Sequence, residues 1–169
     1  MVASLISNCD PRLDQAACDV GNGAGYVSAV MWFIVLVPQL FRNHQRRSVE
    51  GLSVLWATAN ATASICNLFF VFSIQLPLYV RIMAVYMPLL EVGMLVQFFV
   101  FSSTVSLRRR VAYAVGTVAI WVVVVVVGFL GGHRGTEVLQ WCAVALWCVE
   151  CIPQLILNVD NHLRGADQV

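Results

Sequence analysis

The sequence predicts an all-α membrane protein that crosses the bilayer about five times, and three observations carry that reading. Hydrophobic residues make up 60% of the chain, against roughly 45–50% in soluble domains. Charged residues make up 11%, against roughly 25%, and the mean hydropathy is +0.81, so there is too little polar surface to clothe a soluble globule. The charges are also clustered, and the gaps between clusters have the length of membrane spans. A formal net charge of +1 supplies no basic field for nucleic acid, so no nucleic-acid partner is expected.

The elements follow in chain order. Between Asp19 and Arg42 lie 22 uncharged residues, the length a helix needs to cross about 30 Å of hydrocarbon. The residues before this span, 1–23, read as a lumenal or extracellular tail; they lack the basic start of a cleaved signal peptide and carry Asp10, Asp14 and Asp19. Cys9 and Cys18 lie in that tail, where an oxidising compartment permits a small disulfide loop; two free thiols are the alternative. Residues 51–80 are uncharged and hold a second span with a turn at Gln75-Leu76-Pro77. A third apolar stretch, 78–103, is interrupted by Glu91. The fourth, 111–132, carries no charge and contains the valine run 122–127. Gly131-Gly132-His133-Arg134-Gly135 reads as a tight turn into the fifth span, 138–157, with Glu150 inside it. His44, His133 and His162 are expected in loops or tails.

Arginine placement sets the expected orientation. Arg42, Arg46 and Arg47 follow the first span, Arg108, Arg109 and Arg110 the third, and Arg164 the fifth, while Arg12, Arg81 and Arg134 lie on the other side. An excess of arginine in short loops marks the cytoplasmic face, which puts the N-terminus in a lumen or outside and the C-terminus in the cytosol.

One motif occurs twice. The first span ends Val37-Pro38-Gln39-Leu40-Phe41-Arg42-Asn43 and the fifth ends Ile152-Pro153-Gln154-Leu155-Ile156-Leu157-Asn158, both of the form [VI]-P-Q-L-x-x-N at the cytoplasmic end of a helix. Proline lacks the backbone donor and clashes with the preceding turn, so each helix is expected to kink there. Paired broken helices in the two halves of a chain point to alternating access in a transporter, which makes Pro38, Gln39, Pro153 and Gln154 hinge candidates.

On these residues the sequence resembles the PQ-loop repeat family. Pro38-Gln39-Leu40, Asn43, Arg46-Arg47-Ser48 and Glu50-Gly51-Leu52-Ser53 match its pattern PQ-x3-N-x2-(R/K)-(R/K)-S-x-E-G-L-S, and Asn67 fits an asparagine usual later in the second helix. Tyr86, Glu91 and Gln97 resemble the Y-x4-D-x5-Q pattern of the branch that holds cystinosin and the lysosomal and vacuolar cationic amino acid transporters, with glutamate for aspartate. The resemblance implies a three-helix repeat at 24–104, a linker helix at 111–132, the first helix of a second repeat at 137–158 and a cytosolic tail at 159–169. It covers about 25–158, so two helices of a complete second bundle are expected to be missing. Departures from the pattern are Ser64, where an acid is common, and Glu150-Cys151 before the second Pro-Gln.

Glu91 is the leading functional candidate. A charged carboxylate facing lipid in mid-membrane costs about 2.5 kcal/mol or more, so it faces an interior or takes up a proton; the alternative is a neutral structural glutamic acid. Glu91 and Glu150 are therefore the candidates for proton coupling. Asn60, Ser64 and Asn67 are spaced to share one helix face, beside small alanines that permit close helix approach. With Gln97 they form the candidate substrate path, interhelical hydrogen bonding being the other use of such a stripe. Cys148-x-x-Cys151 lacks the partner ligands of a metal site, no phosphate loop or hydrolase elbow occurs, and neither cofactor, metal nor enzymatic activity is expected. The expected function is a PQ-loop carrier in a lysosomal or vacuolar membrane, moving a basic amino acid or cystine by proton-coupled alternating access. Its partners would be the substrate, protons and the lipid bilayer, with self-association or a full-length PQ-loop partner completing the path. A non-transporting regulatory relative and a SWEET-like sugar carrier are the alternatives.

Overall fold

The computed structural model describes residues 14–49, 53–74, 76–102 and 105–150, together with 152, 155, 156 and 159. All regular structure among them is helical: α1 (Gln15–Arg46), α2 (Val54–Ser73), α3 (Leu78–Phe101), α4 (Leu107–Leu130) and α5 (Gly132–Val149). The first four are long and apolar enough to cross a membrane, giving the expected all-α polytopic protein. Over its described range α5 is outside that set, because His133, Arg134, Glu137 and Gln140 fall within its first turns. Beyond it Ile152, Leu155, Ile156 and Val159 are helical and exposed. Pro153, Gln154, Cys9, Cys151, Arg164 and His162 lie outside the described residues.

Helix α1 starts well before the boundary expected near residue 24. Asp14 takes the cap position with extended backbone, and Gln15 donates to Asp19 one turn on (3.0 Å), so the helix begins on the polar side of the membrane boundary. At its other end it runs through Pro38 and closes at Arg47 in the left-handed region (φ 48°). There the Arg47 and Ser48 amides donate to the His44 and Asn43 carbonyls. His44 thus belongs to the last turn of α1 and not to a loop.

Ser53 starts α2 by accepting from the Trp56 amide (3.3 Å), an N-cap of the usual kind. The reversal between α4 and α5 is tighter than the expected turn at 131–135. Gly131 is at once the last cap of α4 and the first of α5, and Gly132 adopts φ +56°. A Cβ on Gly131 would lie 2.5 Å from the Val127 carbonyl oxygen, so only glycine permits this approach. His133 consequently sits in the first turn of α5, paired with Glu137 (3.3 Å).

α2 is the centre of the bundle. It packs most extensively on α5 and α3 and to a smaller extent on α4, while α1 joins through α3 and α4 through α5. Small side chains make this possible: Ala57, Ala61, Ala63 and, from α5, Ala143 are buried, leaving backbones free to approach. Ala63 and Cys66 pack with Val124, Leu139 and Ala143, flanked by Phe69 and Trp147. The Trp121 indole donates to Thr62 Oγ1 (3.0 Å), tying α4 to α2. Cys18 is disulfide-bonded, whereas Cys66, Cys142 and Cys148 are free.

Candidate functional site

The site grows from the orientation of α3. Successive residues of a helix turn by about 100°, so Tyr86 and Gln97, eleven positions apart, share a face and Glu91 points to the other side. The structure uses the two faces differently. The Tyr86 hydroxyl donates to the Ala29 carbonyl of α1, and its ring meets Phe33 edge-on at 5.7 Å. Gln97 Nε2 donates to the Leu40 carbonyl (2.9 Å). The two acceptors are also eleven residues apart and advance in the same direction, so α1 and α3 run parallel and in fixed register. The His44 and Phe101 rings, 6.0 Å apart, confirm that both helices end on one side.

On the opposite face Glu91 is 2% exposed, one turn after Pro88. The Ser64 hydroxyl of α2 faces its carboxyl at interaction range, yet neither Ser64 Oγ nor Glu91 Oε2 completes a hydrogen bond. Asn60, one turn before Ser64, is buried, and Asn67 is half-buried. Glu150 arrives from α5, whose packing on α2 brings its charge within electrostatic reach of Glu91; its Oε2 is also buried without a hydrogen-bond partner. Two carboxyl groups 59 positions apart in sequence thus come within electrostatic reach of each other, Glu91 buried beside Ser64 and Glu150 half-buried at the end of α5. Such a cluster is poised to take up protons or a cationic group, since a buried charge is costly unless paired.

Gln97 lies on the other face of α3 from Glu91. It reaches the carbonyl next to Gln39, and so fastens α3 to the Pro-Gln turn. Pro38 is exposed and Gln39 half-buried; both line a polar cleft of about 810 Å³ with Val35, Arg42, Asn43, Arg46 and Ser48. A separate cleft of about 720 Å³ lies between α2, α3 and the α4–α5 corner, with Phe69, Phe72, Leu89 and Phe129 on its walls. Its lining is apolar apart from Ser73 and Thr136, which gives a polar solute little to hold. Among the described residues no group of three His, Cys, Asp or Glu side chains is placed to hold a metal ion.

Sequence reasoning did not foresee two ties, Tyr86 to Ala29 and Trp121 to Thr62. The first was half visible, because Tyr86 and Gln97 share a helix face; which neighbour that face meets was not. No sequence signal pairs Trp121 with Thr62.

Residues 20–80, covering most of α1, all of α2 and the start of α3, match the family model of the PQ loop repeat. The chain is 34% identical over 81 residues to the vacuolar histidine transporter YPQ3 of Saccharomyces cerevisiae, an alignment covering 48% of this chain and 27% of that protein. It is 26% identical over 160 residues to cystinosin of Drosophila melanogaster, covering 79% of this chain and 40% of the relative. The chain therefore spans between about a quarter and two-fifths of the length of these relatives. No solved structure matches it. What the comparisons show is a PQ loop repeat matched over residues 20–80, on α1, α2 and the start of α3, in a chain similar to these two proteins over part of their length.

Proposed function

We propose that the protein is a PQ-loop carrier that moves a small solute, a basic amino acid or cystine, by proton-coupled alternating access in a lysosomal or vacuolar membrane. The names of the relatives, a vacuolar histidine transporter and cystinosin, support a transport role in such a membrane and an amino acid as cargo. The observation that carries the coupling mechanism is the buried Glu91 carboxyl, with an unpartnered oxygen beside Ser64. A carboxylate there is costly when charged and alone, and either a proton or the ammonium group of a cationic substrate removes that cost. Exchange between the two occupants couples substrate to protons, with Glu150 as the second carboxyl. Asn60, Ser64 and Asn67 supply hydrogen-bonding groups along α2, and Gln97 transmits movement of the Pro38-Gln39 turn to α3.

In this reading residues 24–104 form the first repeat, α4 is the linker and α5 opens a second repeat, hinged at Pro153-Gln154. The N-terminus faces the lumen and the C-terminus the cytosol. A second copy or a full-length PQ-loop protein supplies the remaining wall of the path. The test uses the full chain in proteoliposomes with labelled histidine, arginine and cystine and an imposed pH gradient. Glu91→Gln is expected to abolish acceleration by the gradient while exchange without a gradient persists. Gradient-driven uptake unchanged in that variant overturns the coupling role. Absence of uptake for all three solutes in the unaltered protein overturns autonomous transport.

A further inference from the structure

We infer that the cleft beside Pro38 and Gln39 is a binding site for the phosphate headgroup of an anionic phospholipid. The cleft is lined by two guanidinium groups, Arg42 and Arg46, with the polar side chains of Gln39, Asn43 and Ser48 and the apolar residues Val35 and Pro38. No acidic residue is among the described residues that line it. The ion pair present among the described residues is His133–Glu137, so Arg42 and Arg46 meet no carboxylate there. Asn43 contributes a further donor: its Nδ2 is buried and has no acceptor. Two planar cations and an unanswered amide donor around one cavity are complementary to a phosphate monoester or diester, which guanidinium groups bind through forked, charge-assisted hydrogen bonds.

Depth selects the lipid as the source of that phosphate. The 22 uncharged residues between Asp19 and Arg42 span about 33 Å at 1.5 Å per residue, close to the hydrocarbon thickness of about 30 Å. Arg42 therefore stands at the edge of the hydrocarbon and Arg46, one turn on, in the headgroup layer. Val35 stands at the membrane end of the cleft, with exposed Trp32 and Ile34 deeper along α1 and exposed Phe41 nearer its arginines, surfaces that face acyl chains. The site is amphipathic in the same order as a phospholipid. Arg108 and Arg109, on the first turn of α4 at the same face of the membrane, are exposed and outside this cleft, so they provide an internal control of equal charge.

Binding is measured on the full chain in neutral detergent, with dioctanoyl phosphatidylinositol 4-phosphate as probe and dioctanoyl phosphatidylcholine and inorganic phosphate as competitors. Saturable binding of the phosphoinositide is expected, with little competition from either. The double variant Arg42→Gln, Arg46→Gln is expected to weaken it by about tenfold or more, the loss of one or two charge-assisted hydrogen bonds, while Arg108→Gln, Arg109→Gln leaves it within a few-fold. Asn43→Leu, which keeps every charge, is expected to weaken binding as well and remains informative if the double variant fails to fold. Equal weakening in both arginine pairs reduces the effect to diffuse surface charge and overturns the proposal. Competition by inorganic phosphate as effective as the lipid assigns the site to a soluble anion and overturns the lipid source. A change in oligomeric state on altering Arg42 and Arg46 assigns the cleft to an interface between copies and overturns the proposal too.

Discussion

Helices α1 and α2 are both apolar enough to cross a membrane, but 44% of the α2 span is buried inside the bundle against 11% of the α1 span. Hydropathy does not separate them; side-chain size does. α2 presents Ala57, Ala61 and Ala63 together with Asn60, Thr62 and Ser64 to its neighbours, so three helices close around it. α1 presents Val27, Val30, Trp32, Phe33 and Ile34, all exposed, and meets α3 alone to any extent. The difference divides the chemistry. The carboxyl cluster sits against the buried helix, where desolvation gives an acid its leverage. The Pro-Gln motif sits on the outer helix, where a polar cleft opens toward the membrane surface.

The largest expected effect comes from enlarging a small residue of α2. Ala61 is 0% exposed, and Ala61→Leu forces extra volume between packed helices, an overpacking worth about 1–3 kcal/mol. Val30→Leu on the exposed face of α1 is expected to stay within about 0.5 kcal/mol. Thermal melting of the two variants in one detergent checks the contrast. Equal melting temperatures would remove the distinction between the helices.

Gly128→Ala comes next. A Cβ there would lie 2.4 Å from the Phe69 ring, at the seam where α4 meets α2. The ring has some freedom to shift, so a loss of about 1–2 kcal/mol is expected, and Phe69→Leu in the same chain should recover most of it. A loss that Phe69→Leu does not repair would place the strain in the backbone of α4 instead.

Much of this division was legible in the sequence. The gaps between charges located four spans, and the cost of a mid-membrane carboxylate placed Glu91 in the interior. The spacing of Asn60, Ser64 and Asn67 put them on one face, two of them buried and one half-buried. Charge marks where the membrane ends and not where a helix ends, which is why α1 begins at Gln15 and why His44 and His133 are helical. Periodicity shows which residues share a face, whereas the identity of the facing helix is a property of the whole bundle. For that reason the approach of Glu150 to Glu91, and the indole of Trp121 on Thr62, had no signature in the chain.

Thr62→Val tests the second of these. It keeps the shape of the side chain but leaves the Trp121 N–H without its acceptor, a loss of about 0.6–1 kcal/mol inside a membrane bundle. The melting temperature should fall slightly and the Trp121 fluorescence should shift. Unchanged spectra would mean that the indole finds another acceptor.

The smallest effects are expected where α1 is held. Tyr86→Phe and Gln97→Leu each remove one side-chain tie to an α1 carbonyl, at about 0.6 kcal/mol apiece. Each alone is smaller than the effect of Ala61→Leu, yet the location of the loss is informative. If α1 is an outer helix fastened at Ala29 and Leu40, the double variant should raise amide hydrogen exchange along α1 and leave α2 protected, with little change in the global melt. If exchange rises in both helices together, α1 is an integral part of one cooperative unit. Its exposed face would then be a matter of lipid contact alone, and the Pro-Gln turn could not move without the carboxyl cluster moving with it.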